Sequence, residues 1–217
     1  WSSDVCSSDL LAPEIPAILD LLPPALSLRG WAIFPPTWPA WIRLLVSLPA
    51  TPPSPVVAFR LDGWNDVFTD GSCLHQACPL YRCAAWAVTL APPFTADWTP
   101  GGAAVVGASY LPGLCQTAYR AELFAVAYTL HWAAAQGAQV RIWSDCLGVV
   151  NKFALLVWGH KRLNPTRSNA DLWVWIMQSV ERLGKQNVAI MKVPAHRDLR
   201  SLTTRFEIWK GVHNAFA

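Results

Sequence analysis

The chain has 217 residues, 53% of them hydrophobic and only 14% charged, with a formal net charge of +3. That length and apolar fraction allow one sizeable core and exclude global disorder, and the six cysteines form no disulfide framework and no CxxC metal site. Charge is uneven. From Arg141 onward twelve Lys/Arg stand against five Asp/Glu, which points either to a polyanionic partner or to a solvated basic face.

In chain order, the first ten residues, WSSDVCSSDL, resemble the conceptual translation of a sequencing adapter, and Cys6 is set aside with them. Residues 11–59 are rich in Pro, Leu and Trp, with eleven of the chain's eighteen prolines between Pro13 and Pro55. Proline at that density limits regular structure to short pieces, so this segment reads as a linker or the remnant of an upstream segment. Its apolar stretch from Trp31 to Leu48 is broken by Pro35, Pro36, Pro39 and Arg43, so no membrane span is expected. No signal peptide is recognisable, and the cysteines read as reduced residues of an intracellular protein, cytoplasmic or nuclear.

From residue 60 to 217 the pattern is that of one α/β domain. Strands are expected at 65–70, 82–90 and 103–110, separated by Gly/Pro-rich turns, as an antiparallel meander. Residues 117–136 form a helix with an apolar face at Leu123, Val126, Ala127 and Leu130, closed by Gly137. A short strand, VRIWSD, follows and leads into a helix, LGVVNKFALLVW. After the basic loop GHKRLNPTRSN comes a helix with Asn169 as its cap, then a fifth strand in NVAIMKVPAH and a last helix near RFEIWKGVHNAFA. Right-handed crossovers make strands one, four and five parallel, giving a five-stranded mixed sheet flanked by helices.

Three carboxylates stand at related places in this scheme. Asp70 ends strand one, Glu122 lies in the first turns of the first helix, and Asp145 ends strand four. Each has an ordinary explanation: a turn aspartate before Gly71, a solvated helix glutamate, an aspartate capping the helix at LGVV. All three at matching ends is a rarer coincidence, because carboxyl ends of neighbouring parallel strands line the ligand crevice of an open α/β sheet. Clustered carboxylates repel unless cations sit among them, and an all-oxygen set suits Mg²⁺ or Mn²⁺.

TDGS, QTAYRAEL, IWSDCLGVVN and KVPAHRD, in this order and spacing, resemble the ribonuclease H domain of type 1 in the form carried by retroelement polyproteins. NADLWVWI resembles that family's penultimate helix, and the match covers roughly residues 64–217. The resemblance implies a ribonuclease H-like fold and hydrolysis of the RNA strand of RNA–DNA hybrids with two Mg²⁺ ions, Mn²⁺ being a possible substitute. It places Asp70, Glu122 and Asp145 in the catalytic and ion-binding set, with His196 assisting proton movement or product release. Gly71, Ser72, Thr117, Arg120, Lys161 and Arg162 become candidate substrate contacts, and a reverse transcriptase becomes a possible upstream neighbour in one polyprotein.

The departures are as informative. Ala118 and Tyr119 stand where cellular members place two asparagines, which leaves hybrid selectivity to other groups. Asn214-Ala215-Phe216-Ala217 matches the last-helix motif up to its closing aspartate, so the resemblance puts the fourth carboxylate just past Ala217 and implies a truncated domain. A decayed, non-catalytic nucleic-acid-binding or structural domain of a polyprotein is the alternative reading.

Overall fold

The computed structural model describes residues 55, 57–74, 76, 82–100, 102–112, 115–159, 161–164, 166–195 and 201–217. The readings made for residues 1–54 therefore lie outside the described residues. Among the described residues, five strands and four helices follow in the order β1 (Asn65–Leu74), β2 (Cys83–Ala91), β3 (Ala104–Tyr110), α1 (Ala118–Gln136), β4 (Val140–Ser144), α2 (Leu147–Val157), α3 (Ala170–Leu183), β5 (Val188–Lys192) and α4 (Arg205–Phe216), with a 3₁₀ turn at Lys185–Asn187 before β5.

The sheet order is β3-β2-β1-β4-β5, with β1–β2 and β2–β3 antiparallel and β1–β4 and β4–β5 parallel. This is the mixed sheet expected from the sequence. It differs in one place that matters: β1 does not end at Asp70 but runs on to Leu74, with Asp70 opposite Ala87 and Leu74 opposite Cys83. The parallel pairing of β1 with β4 stops earlier, at Thr69↔Ser144. Asp70 is thus the first residue of β1 past the end of its parallel neighbour.

Side chains alternate across the strand, and each face of β1 packs on a different helix. Val67 belongs to the larger core, with Trp86, Leu123, Tyr128, Ile142 and Trp173. Phe68 belongs to a smaller aromatic core under α4, with Trp98, Trp143, Val193 and Trp209. The rings of Phe68 and Trp143 stack at 6.0 Å, and Trp209 meets Phe68 edge-on at 5.3 Å.

α1 is more deeply set than one apolar face requires. Every residue from Ala121 to Leu130 is buried, because α1 lies with the sheet on one side and α3 on another. A helix covered all round carries small and apolar residues all round, which explains the alanine-rich sequence. Gly137 closes it in the left-handed region (φ 69°), its amide donating back to the last turn as expected. Phe59 packs into the larger core: its side chain is buried and its amide donates to Gln136 Oε1 at 2.9 Å. Among the described residues, no helix is long and apolar enough to cross a membrane, and Cys73, Cys83, Cys115 and Cys146 are free thiols.

Candidate metal centre

Three different kinds of local structure present the three acids. Asp70 comes from the middle of β1, and its Oδ1 accepts from the amide of Gly71 at 2.8 Å. Glu122 comes from the second turn of α1, whose start is fixed by Thr117: its hydroxyl accepts from Arg120 N at 3.1 Å. Asp145 lies in neither helix nor strand, immediately after β4 and before Cys146, the N-cap of α2. Asp145 is therefore not the helix cap that its place before LGVV suggested.

Glycine at position 71 has a specific cause. A β-carbon there would lie 2.2 Å from Glu122 N and 2.7 Å from the Ala121 carbonyl carbon, inside the backbone of α1. Only a residue without a side chain lets β1 come this close to the helix. The Asp-Gly pair thus serves helix–strand approach, not a hairpin turn.

One carboxylate oxygen from each of Asp70, Glu122 and Asp145 lies within 4.8 Å of the others. Glu122 is buried, and its pKa is pushed from the ordinary 4.5 up to about 10. Burial is the main cause, followed by the negative charges of Asp70 and Asp145, with the Gly71 amide pulling the other way. Its Oε2 is buried without a hydrogen-bond partner. A buried, unpartnered oxygen among two further carboxylates is an electrostatic deficit that a dication repairs, so the residues present fit a hard divalent ion of the Mg²⁺ or Mn²⁺ kind.

Two of the expected substrate contacts, Gly71 and Ser72, directly follow Asp70 of this centre. Gly71 touches it, and exposed Ser72 lines an open cavity of about 570 Å³ together with Asp70, Ala85, Ala87, Ala108, Tyr110 and Ala217. The last residue of the chain thus stands on the rim of the cavity that holds Asp70. Lys161 and Arg162 are exposed in the loop after α2. His196 lies outside the described residues.

Arg120 bonds to the start of α3. Its guanidinium grips Asp171 with two nitrogens, at 3.0 and 2.5 Å, and donates to Asn169 Oδ1 at 2.9 Å. Asn169 is the N-cap of α3 in position only: it sits in the left-handed region (φ 61°) and makes no capping bond with its side chain. That side chain goes to Arg120 instead. Sequence reasoning also missed Lys192, whose ammonium donates to the main-chain carbonyl of Asp145. Its only sequence signal was a lysine closing an apolar strand, and its partner becomes visible once β4 and β5 are in register.

The RNase H family model matches residues 65–203. Among solved structures, the chain is similar to the RNase H domain of PFV, with 17% identity and a TM-score of 0.50 over 70% of this chain and 91% of that one. It is also similar to a protease-reverse transcriptase of prototype foamy virus, a CSH mutant, with 20% identity and a TM-score of 0.50 over 77% of this chain and 21% of that one. The foamy virus protease-reverse transcriptase in its native form aligns with 17% identity and a TM-score of 0.48 over 70% of this chain, which thus spans 20% of that protein. No curated protein sequence is significantly similar to the chain. At such identities structural likeness establishes the fold, whereas the family match spans more than half of the sequence. The mixed sheet, the acidic trio at its centre and the family match lead to one statement: this chain belongs to the RNase H family.

Proposed function

We propose that the chain is a metal-dependent endonuclease that hydrolyses the RNA strand of RNA–DNA hybrids, with Asp70, Glu122 and Asp145 as its ion-holding carboxylates. The observation that carries this reading is the convergence of three carboxylate oxygens within 4.8 Å, one residue of the trio having a buried oxygen without a partner. Two Mg²⁺ ions, or Mn²⁺ in their place, supply an activated water and stabilise the leaving 3′ oxygen when bound. Everything else is the work of this chain's residues.

Asp70, set on the central strand with its Oδ1 accepting from the Gly71 amide, would hold the ions together with Glu122 and Asp145. Glu122 must release the proton that burial and its two acidic neighbours hold on it, so ion binding and proton release are one event. Ser72 and the backbone at Gly71 and Thr117 are the proposed readers of the RNA strand, where the 2′-hydroxyl is the distinguishing group. Lys161 and Arg162, both exposed, are proposed as phosphate contacts. His196 is the proposed proton carrier or product-release residue. Arg120 is proposed to serve the substrate through the loop end it anchors, since three of its N–H donors go to Asp171 and Asn169.

Residues 60–217 are the proposed catalytic unit, acting inside the cell beside a reverse transcriptase of the same polyprotein. The foamy virus protease-reverse transcriptase, in which the matching segment is 21% of the chain, supports that arrangement.

The test is cleavage of a hybrid labelled on its RNA strand, with and without Mg²⁺. Asp70→Asn is expected to lower turnover by on the order of a thousandfold, roughly 4 kcal/mol in the barrier. Full Mg²⁺-dependent cleavage by Asp70→Asn overturns the assignment, and hybrid binding without cleavage under any divalent ion makes the chain a binding module.

A further inference from the structure

Of the three acids, Asp145 has the least regular backbone around it. Asp70 is held by its pairing with Ala87, and Glu122 by the bonds of α1. β4 and β5 pair for the last time at Ser144↔Lys192, followed by one bond from Val193 N to Ser144 O at 3.0 Å. After that the two chains diverge, β4 into α2 and β5 into the Val193–Pro194–Ala195 segment. Asp145 stands in the fork.

Lys192 spans that fork. Its ammonium donates to the carbonyl of Asp145 and, at 2.7 Å, to the carbonyl of Val193, one on each branch. An ammonium suits the task, since three compact donors can serve two converging carbonyls. On the other side, the amide of Cys146 donates to Ser144 Oγ at 3.1 Å. The Asp145 peptide is therefore held at both ends by side chains, although it belongs to no regular element.

We propose that Lys192 is a positioning residue for the metal centre: it ties the Asp145 peptide across the fork of β4 and β5, so that the carboxylate stays turned toward Asp70 and Glu122. The inference rests on the ion-binding reading of the trio. Fixing the backbone of a residue costs conformational entropy, and a strut present before the ion arrives removes that cost from ion binding. Positioning and simple charge predict opposite signs. A cation close to the site competes with dications, so if charge were its only effect, its removal would tighten ion binding.

The test is Mn²⁺ binding by calorimetry to the full chain without nucleic acid, in wild type, Asp70→Asn, Lys192→Met, Lys192→Gln and Lys192→Arg. Circular dichroism sets equal folded concentrations. Lys192→Met is expected to bind Mn²⁺ about tenfold more weakly, with Lys192→Arg restoring most of the loss and Lys192→Gln, a neutral donor, part of it. In hybrid cleavage, the Mg²⁺ concentration for half-maximal rate rises in Lys192→Met while the KM for hybrid stays put. Unchanged or tighter Mn²⁺ binding by both Lys192→Met and Lys192→Gln overturns the proposal. A wild type that binds Mn²⁺ no better than Asp70→Asn overturns the ion-binding reading itself, a distinct failure.

Discussion

Gly71 and Glu122 are in backbone contact: a β-carbon on residue 71 would stand 2.2 Å from the amide nitrogen of residue 122. The neighbours of that carbon are main-chain atoms of a buried helix, which cannot swing aside as a flexible side chain would. Gly71→Ala is expected to destabilise the fold by about 1–3 kcal/mol, the range of a core overpacked by one methyl, and to lower ion affinity with it. Urea unfolding with and without Mn²⁺ measures both. A Gly71→Ala protein as stable as wild type would mean that α1 retreats at no cost.

Glu122 sets an alkaline limb of stability in the ion-free protein. Its folded pKa of about 10 lies above its ordinary 4.5, so below pH 4.5 both folded and unfolded chains hold the proton. Between those two values the unfolded chain gives it up first, and stability falls as pH rises through the window. Unfolding free energy without metal is therefore expected to decline from pH 5 toward pH 9, to decline less in Glu122→Gln, and to decline less in wild type with Mg²⁺. Equal slopes in all three would show that Glu122 ionises as readily folded as unfolded.

His213 sets an acid limb. Its ring is fully buried among Phe68, Trp98 and Trp209, both nitrogens lack hydrogen-bond partners, and burial pushes its pKa down from 6.5 against the opposing pull of Asp66. The unfolded chain takes a proton first as pH falls below 6.5, so the stabilising contribution is present above that value and lost beneath it. His213→Phe, which fits an aromatic pocket, is expected to lose less stability than wild type between pH 7 and pH 5. The readout is the difference in urea midpoint at the two pH values.

The Arg120–Asp171 pair joins α1 to α3 at the base of the basic loop. Asp171 is 59% exposed, which screens the charge, so the pair is expected to contribute about 1 kcal/mol despite its two-nitrogen geometry. A double-mutant cycle with Arg120→Ala and Asp171→Ala gives the coupling directly. If hybrid KM rises in Asp171→Ala, a residue outside the acidic centre, then the pair does set the loop that carries Lys161 and Arg162.

What the sequence revealed and what it hid divide by distance along the chain. The order of strands and helices was readable because apolar periodicity and Gly/Pro punctuation are local. The acidic trio was readable because strand ends converge in any open α/β sheet. The length of β1 was not: Asp-Gly looks like a turn from within the chain, and only the approach of α1 reveals why residue 71 must lack a side chain. Asn169 looked like a cap, but Arg120, 49 positions earlier, takes its side chain. Lys192 needed the register of β4 against β5, which no local pattern carries.

That register has a consequence for how activity and folding are linked. β1 and β4 share a parallel ladder that ends at Thr69↔Ser144, one residue short of both Asp70 and Asp145. A strand that slips by one position turns every side chain to the opposite face. Asp70 would then point into the packing of α1, and Phe68 would leave the aromatic cluster beneath α4. A slipped register would therefore break up the acidic centre and the aromatic core together. Under the proposed function, misassembled chains are thus expected to be silent instead of weakly active.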